Sequence, residues 1–411
     1  MKVAILTLGC RVNQSESATI EGSLIQSGVN IVNLDEKPDY CVVNTCSVTA
    51  RSDFNSRQLI RRAANAGAKV IVTGCYSQLR TEETWRLPGV WKIIDSKNKL
   101  EVIGELTGDK SAPYYAYYSR SRPHLKVQDG CNFACSYCSV PLARGKSVSV
   151  REEEIIERAC IIASAGYQEL VLTGIHLGSY GKDLGGDFSL KKLLVRLLMR
   201  SSIRRIRLSS LEIGEIDDEM IDILGEERIC RHLHLPLQSG SERILRAMRR
   251  GYSLKAFAST IERITSKIDN LSLGTDVIVG FPGERDEDFA DTLSYVSQLP
   301  LSYMHIFPFS PRAGTEAEQM KERPDSFISK RRAKILAEVN QAKKKDYMMR
   351  QLDRTLDVIV EEIDGKHFTG TSGNYLKVCA SMPAPAKKSI VLVRPTVVKG
   401  GLLRGVPIQT L

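Results

Sequence analysis

Cys131, Cys135 and Cys138 share one short loop, "DGCNFACSYCSVP" (129–141), directly after a β-forming run. Such close spacing lets thiolates wrap one compact metal site, so the first chemistry to consider is metal binding. Three thiols leave a tetrahedral zinc one ligand short, or leave one iron of a four-iron cluster without a protein thiolate. On the residues alone both readings stay open: zinc with a distant fourth ligand, or a [4Fe-4S] cluster whose uncapped iron is the working position. A second set is dispersed. Cys10, Cys46 and Cys75 each immediately follow a β-rich run, "AILTLG", "CVVNT" and "VIVTG". Parallel strands carry their C-terminal ends along one edge, so thiols far apart in sequence can converge there. The alternative is unrelated core cysteines acting as small hydrophobes, and their common position relative to the strands argues against it. Cys41, which lies within its strand, and Cys160, Cys230 and Cys379 are expected to be structural.

These thiols need an ordered scaffold. Residues 1–108 alternate β-rich runs with helical stretches, including a helix from about Ser15 to Gln26 closed by Gly28, the run "VNIVNL" and a basic helix over Arg51 to Ala66. That alternation predicts an α/β, doubly wound parallel sheet. A linker follows at about Thr107 to Pro123; its "YYAYYSRSRP" either stacks on bases, with Arg120 and Arg122 at phosphates, or packs across a domain junction. Residues 120–345 carry six β-like segments, each followed by chain enough for a helix. They predict an open, partial (βα)6 barrel with its site at the strands' C-terminal ends. Its first helix is expected to start with a capping box, Ser149 with Glu152, and to end before Gly166. A basic helix over Ser326 to Met349 includes Lys330, Arg331, Arg332, Lys334 and Lys343 to Lys345, a solvated face or an RNA contact. Residues 348–411 contain five short strands separated by Gly, Asn and Pro, the pattern of a small OB-like β-barrel.

The composition agrees with a polyanionic partner: 58 Lys plus Arg against 48 Asp plus Glu leaves a net charge of +10. At 411 residues two or three domains are expected. No apolar run is long enough to span a bilayer, so no membrane partner is expected. The apolar part of "MKVAILTLGC" is too short for a secretory signal, and ten cysteines without export imply a reducing cytoplasm.

Cys131, Cys135 and Cys138, placed after the first strand of a six-unit partial barrel, resemble the cluster loop of the radical S-adenosylmethionine (SAM) superfamily. Across nearly the whole chain, two cysteine triads followed by a small β domain resemble the methylthiotransferases, whose C-terminal domain is an RNA-binding TRAM domain. "TLGCRVNQSES" and "GCNFACSYCSVPLARG" are most similar to the members acting on threonylcarbamoyladenosine in tRNA; Arg11 stands where that subgroup often has Lys. Relatives acting on isopentenyladenosine usually read Thr-Tyr-Gly-Cys-Gln-Met-Asn at the first of these motifs. The resemblance implies two [4Fe-4S] clusters and S-adenosyl-L-methionine. Cys131, Cys135 and Cys138 would serve radical generation, and Cys10, Cys46 and Cys75 the sulfur that is methylated and inserted at C2 of the adenine. It implies as partners a tRNA anticodon stem-loop, a reduced flavodoxin or ferredoxin-type electron donor and a sulfur source, with the chain acting as a monomer.

Further positions follow from the same likeness. Gly174 in "LTGIHLGSYG" resembles the segment backing the SAM amino group, and Glu212 in "SSLEIGEI" offers a carboxylate to that group or to ribose. Gln238 and Ser239, at a strand end, are candidate cofactor or substrate contacts. His232 and His234 alternate on one strand and share a face; barrel packing is expected of them rather than a metal pair. Arg243, Arg246, Arg249 and Arg250 are candidate phosphate contacts. The rival functions are methylthiolation of isopentenyladenosine tRNA or of a ribosomal-protein aspartate, and a non-catalytic iron-sulfur or zinc RNA-binding protein.

Overall fold

The computed structural model describes residues 1–109 and 120–411. Strands β1 (Lys2–Thr7), β2 (Asn30–Ile31), β3 (Tyr40–Thr45), β4 (Lys69–Gly74) and β5 (Val90–Ile93) form a parallel sheet in the order β2-β1-β3-β4-β5. The apolar centres of β3 and β4 are buried on both faces, as parallel strands require. Val42 and Ile71 pack with the helix Arg11–Gln26 on one side, and Val43 and Val72 with Ile60 and Ala63 on the other. The doubly wound expectation holds, with two local corrections. The first helix starts at Arg11, well before Ser15, because Gly9, at φ 111°, makes the whole turn from strand to helix. β2 keeps only Asn30–Ile31 of "VNIVNL", since Asn33 caps a 3-10 turn over Leu34–Glu36. Residues 110–119, with most of the tyrosine-rich segment, lie outside the described residues.

The next strands are β6 (His124–Lys126), β7 (Gln128–Asp129), β8 (Val148–Ser149), β9 (Glu169–Thr173), β10 (Arg205–Leu208), β11 (His232–His234), β12 (Ser272–Val279) and β13 (Tyr303–Pro308). β6, β9 and β10 form one parallel sheet and β11, β12 and β13 a second. The Ile206–Ile229 bridge and the bond from Leu211 N–H to His234 C=O (3.0 Å) close the seam between them. All six thus follow in chain order as a partial barrel around a Leu- and Ile-rich core. The Ser149–Glu152 capping box does not form. Ser149 belongs to β8, and its hydroxyl donates to Asp183 (2.5 Å) and accepts from Gly181 N–H (2.9 Å), fastening the loop after β9. The helix Glu152–Ser164 takes Arg151 as its N-cap and ends before Gly166.

Strands β14 (Leu356–Asp364), β15 (His367–Ser372), β16 (Lys377–Ser381), β17 (Ile390–Lys399) and β18 (Leu402–Thr410) close a barrel in the order β14-β15-β16-β18-β17. A fully buried carboxylate anchors it to the central strands. Glu169 lies against Arg205 (2.5 Å) and Arg207 (2.8 Å), and those guanidiniums extend to Asp357 (2.7 Å) and the Thr371 and Ser372 carbonyls (3.1 and 2.9 Å). Burial alone would raise the Glu169 pKa; Arg205, Arg207 and Arg122 outweigh it and hold the carboxyl below its ordinary value. Among the described residues no helix is long and apolar enough to cross a membrane.

Glu169→Gln leaves two buried guanidiniums without their counter-charge and is expected to cost about 3–5 kcal/mol in urea unfolding at pH 7. A carboxyl whose pKa is depressed by folding stabilises above its unfolded value and ceases to as the pH falls. The gap between variant and wild type therefore narrows below about pH 4.3. A gap under about 1 kcal/mol at pH 7 contradicts the anchoring role.

Candidate active site

β1, β3 and β4 are neighbours, and their C-terminal ends carry Cys10, Cys46 and Cys75 in turn. The sheet order reverses between β1 and β3, the point at which open α/β sheets leave a crevice for ligands. Gly9 and Gly74 permit the approach. A Cβ on Gly9 would stand 2.8 Å from the Cys46 Cβ, and one on Gly74 2.4 Å from the Thr45 carbonyl oxygen. The thiols are near enough that charge on one raises the pKa of another. Burial is the larger influence and pushes Cys46 up to about 11.

The second trio is held by the loop between β7 and β8. Cys131 N–H donates to Gly145 C=O (3.1 Å), Cys138 N–H to Cys135 C=O (3.1 Å), and Phe133 N–H to the Cys131 sulfur (3.4 Å). Burial pushes Cys138 up to about 12, so metal binding there must release a proton at pH 7. Two cations flank the loop. Arg250 donates to Cys135 Sγ (3.5 Å) and pairs with Glu212. His176 places Nδ1 3.9 Å from Cys131 Sγ and Nε2 2.5 Å from Glu215 Oε1. Burial opposes charge on His176, but Cys131 and Glu215 outweigh it and lift the pKa to about 9.

Among the described residues the group of metal-ligating atoms gathered within 4.8 Å is His234, Asp276 and His305. Three thiols in each trio are the donor set of a [4Fe-4S] cube with one iron uncapped.

The two trios are joined by charge. Glu16, on the helix that Cys10 opens, is buried against Lys99, Lys126 (2.9 Å) and Arg144 (3.2 Å), and Arg144 continues to Asp129 (2.7 Å) at the root of the Cys131 loop. Burial would raise the Glu16 pKa, but those three cations hold it well below the usual range. Arg144 also feels Cys10 and Cys75 electrostatically. Beside this junction lies a cavity of about 630 Å³, with Cys10 and Cys46 on one wall and Gly174, Ser209, His234 and Asp276 on the other.

Gly174 is therefore brought opposite the sheet-edge cysteines, its N–H donating to Ser209 Oγ (3.3 Å). Gln238 lines an adjoining hollow of about 200 Å³ that shares Asp276 and Phe307, and holds a left-handed backbone, φ 71°. Glu212 lies at the other cysteine loop through Arg250 and is not among the cavity walls. His232 packs as expected, bonded to Tyr303 Oη (2.8 Å) and stacked on Tyr375. His234 instead faces the cavity, bonded to Ser210 (2.8 Å) and paired with Asp276 (3.2 Å). Arg250 is not a phosphate contact, because it is buried between Glu212 and Cys135. Arg243 and Arg249 are tied to Asp288 and Glu316. On the basic helix, Arg332 is buried against Glu284 and Lys343 bonds the Ser297 and Leu299 carbonyls, whereas Lys330, Arg331 and Lys334 stay exposed. His176, Arg144, Asp276 and His305 escaped the sequence reading. The first stands in the quoted "LTGIHLGSYG", beside Gly174, which was its only signal.

Residues 125–296 match the family model of the Radical SAM superfamily, and residues 2–94 that of Uncharacterized protein family UPF0004. Threonylcarbamoyladenosine tRNA methylthiotransferase MtaB of Aquifex aeolicus (strain VF5) is 39% identical over 384 residues, 88% of this chain and 93% of that protein. The protein of the same name from Bacillus subtilis (strain 168) is 36% identical over 404 residues, 92% of this chain and 89% of that one. The chain belongs to the radical SAM methylthiotransferase family. Membership implies SAM and a [4Fe-4S] cluster in this methylthiotransferase. The tRNA-2-methylthio-N(6)-dimethylallyladenosine synthase of Aliarcobacter butzleri (strain RM4018) is a further relative, 31% identical over 98% of each chain. Among solved structures, the radical SAM methyltransferase TsrM from Kitasatospora setae, with cobalamin and a [4Fe-4S] cluster bound, shares the fold at TM-score 0.59 and 14% identity over 77% of each chain.

In the metal-free methylthiotransferase, Glu16→Gln is expected to speed amide hydrogen exchange in both 11–26 and 129–145 while leaving β14 to β18 unchanged. Faster exchange in only one of the two segments contradicts the junction.

Proposed function

We propose that this methylthiotransferase adds a methylthio group at C2 of N6-threonylcarbamoyladenosine beside the anticodon of tRNA, using two [4Fe-4S] clusters. The observation that carries the proposal is the shared cavity, in which the sheet-edge thiols Cys10 and Cys46 face the barrel mouth across one hollow. The whole-chain relatives bearing that activity in their names support the choice of substrate.

Cys131, Cys135 and Cys138 would hold the cluster that binds SAM, and Cys10, Cys46 and Cys75 would hold the second. When bound, these groups supply the electron that cleaves SAM and the sulfur that is transferred. Arg250 and the His176 imidazolium sit beside the thiolates of the barrel loop and offset their charge. Gly174 backs the SAM amino group, with Glu212, oriented by Arg250, and Gln238 as further contacts. The base enters the cavity extruded from the loop, and the walls keep water from the reacting carbon. Residues 1–108 serve as the sulfur-carrying domain, 120–345 as the radical domain and 348–411 as the RNA-binding domain. Lys330, Arg331 and Lys334 contact phosphates of the anticodon stem-loop. A reduced flavodoxin or ferredoxin-type protein supplies electrons.

Anaerobically reconstituted protein, given dithionite, SAM, a sulfur source and tRNA carrying threonylcarbamoyladenosine, is expected to yield 5'-deoxyadenosine and the 2-methylthio nucleoside by mass spectrometry. Conversion of isopentenyladenosine tRNA alone, or no 5'-deoxyadenosine, contradicts the proposal. Bound iron is expected near eight atoms per chain and near four when either trio is changed to Ala, about four per cluster. Iron near four atoms per chain in the unaltered protein, unchanged when Cys10, Cys46 and Cys75 are replaced, leaves no place for the second cluster.

A further inference from the structure

Arg11 follows Cys10 and lines the same cavity. Its guanidinium donates to the Leu208 carbonyl at the end of β10 (3.5 Å) and to Tyr375 Oη (3.3 Å), and lies 5.8 Å from the centre of the Tyr375 ring. A guanidinium has five N–H donors, so two long bonds leave most of them unused. Among the described residues Arg11 forms no ion pair, while buried arginines around it do: Arg144 with Glu16 and Asp129, Arg207 with Glu169. Asp276 is the acidic side chain on the cavity wall, and it is engaged by His234 at 3.2 Å. Among the described residues no carboxylate is paired with this cavity guanidinium.

The position is built from three parts of the chain. Arg11 opens the first helix, Leu208 ends a barrel strand, and Tyr375 comes from the C-terminal barrel between β15 and β16. Tyr375 holds φ 67°, a left-handed conformation that a bulky L-residue adopts at a cost of about 1–2 kcal/mol. Its ring is stacked on His232 (4.2 Å between centroids), with the Arg207 guanidinium 5.2 Å from its centre. A strained aromatic so clamped gives Arg11 a fixed backing rather than a flexible one.

We propose that Arg11 determines substrate specificity: backed by Tyr375, its guanidinium receives a carboxylate on the N6 substituent of the target adenosine. This rests on the reading of the cavity as the site for an extruded, N6-modified base. Guanidinium and carboxylate match as a two-bond fork, stronger than a neutral pair. An uncharged N6 substituent would leave the cation covered and unpaired. Arg11 thereby favours an acidic substituent over a neutral one, and Tyr375 acts through it as a positioning residue.

The test compares two synthetic anticodon stem-loops, one carrying N6-threonylcarbamoyladenosine and one with its carboxylate converted to the neutral methylamide. Binding to reconstituted protein is read by fluorescence anisotropy and turnover by kcat/KM. Wild type is expected to prefer the carboxylate at least about tenfold, the range for a hydrogen-bonded charge. Arg11→Gln reduces that ratio to near unity, Arg11→Lys keeps most of it, and Tyr375→Phe lowers it partially through KM rather than kcat. The amide stem-loop controls for folding, and the binding ratio is measurable in a variant that no longer turns over. A preference retained in Arg11→Gln, or absent from wild type, overturns the proposal. If wild type binds with the expected preference but methylthiolates neither stem-loop, the function fails while the role of Arg11 stands. Failure to bind either stem-loop overturns both.

Discussion

One buried carboxylate sets the geometry on which the rest depends. Glu16 lies on the helix that Cys10 opens, and Lys99, Lys126 and Arg144 converge on it from the turn after β5, the first barrel strand and the helix after the cysteine loop. Burying four charges is expensive unless they pair closely, and replacing such a cluster with apolar residues often costs nothing. Its use here is registry. A hydrophobic junction would allow sheet and barrel to slide, whereas a carboxylate shared by three cations has one good arrangement. The sheet edge is thereby held against the barrel mouth with both cysteine trios at the same junction.

Much of the scaffold was legible in the sequence because hydrophobic patterning reports strands directly. The runs ending at Cys10, Cys46 and Cys75 became adjacent strands, and the five C-terminal runs closed into a barrel. What was not legible is which polar side chains are buried. Arg250 and Arg332 sit in basic stretches resembling solvated faces, yet tertiary contacts enclose them with Glu212 and Glu284. Ser149 and Glu152 have capping-box spacing, but strand pairing to Gln128 claimed Ser149 first. His176 and Asp276 carry no local pattern, and they acquire meaning only when separate strand ends meet.

The electrostatics of the two cysteine sites are similar in kind and different in source. At the barrel loop, positive charge comes from Arg250 and His176, each also held by an acid that fixes its direction. At the sheet edge it comes from Arg144, an element of the other domain, which is itself anchored by Glu16. Charge balance at one site therefore depends on docking of the other. Gln238, in the adjoining hollow, and Tyr375, behind Arg11, are both left-handed without being glycine.

The central proposal is that each cysteine trio holds one cluster, with Cys10 and Cys46 on the cavity wall and the Cys131 loop at the same junction through Asp129 and Arg144. Electron paramagnetic resonance of the anaerobically reduced protein tests it most directly. Two nearby paramagnets broaden and split each other's signals, so the account predicts an interaction spectrum that collapses to that of an isolated cluster when Cys10, Cys46 and Cys75 are replaced by Ala. An isolated-cluster spectrum in the unaltered protein, unchanged by those substitutions, would contradict it.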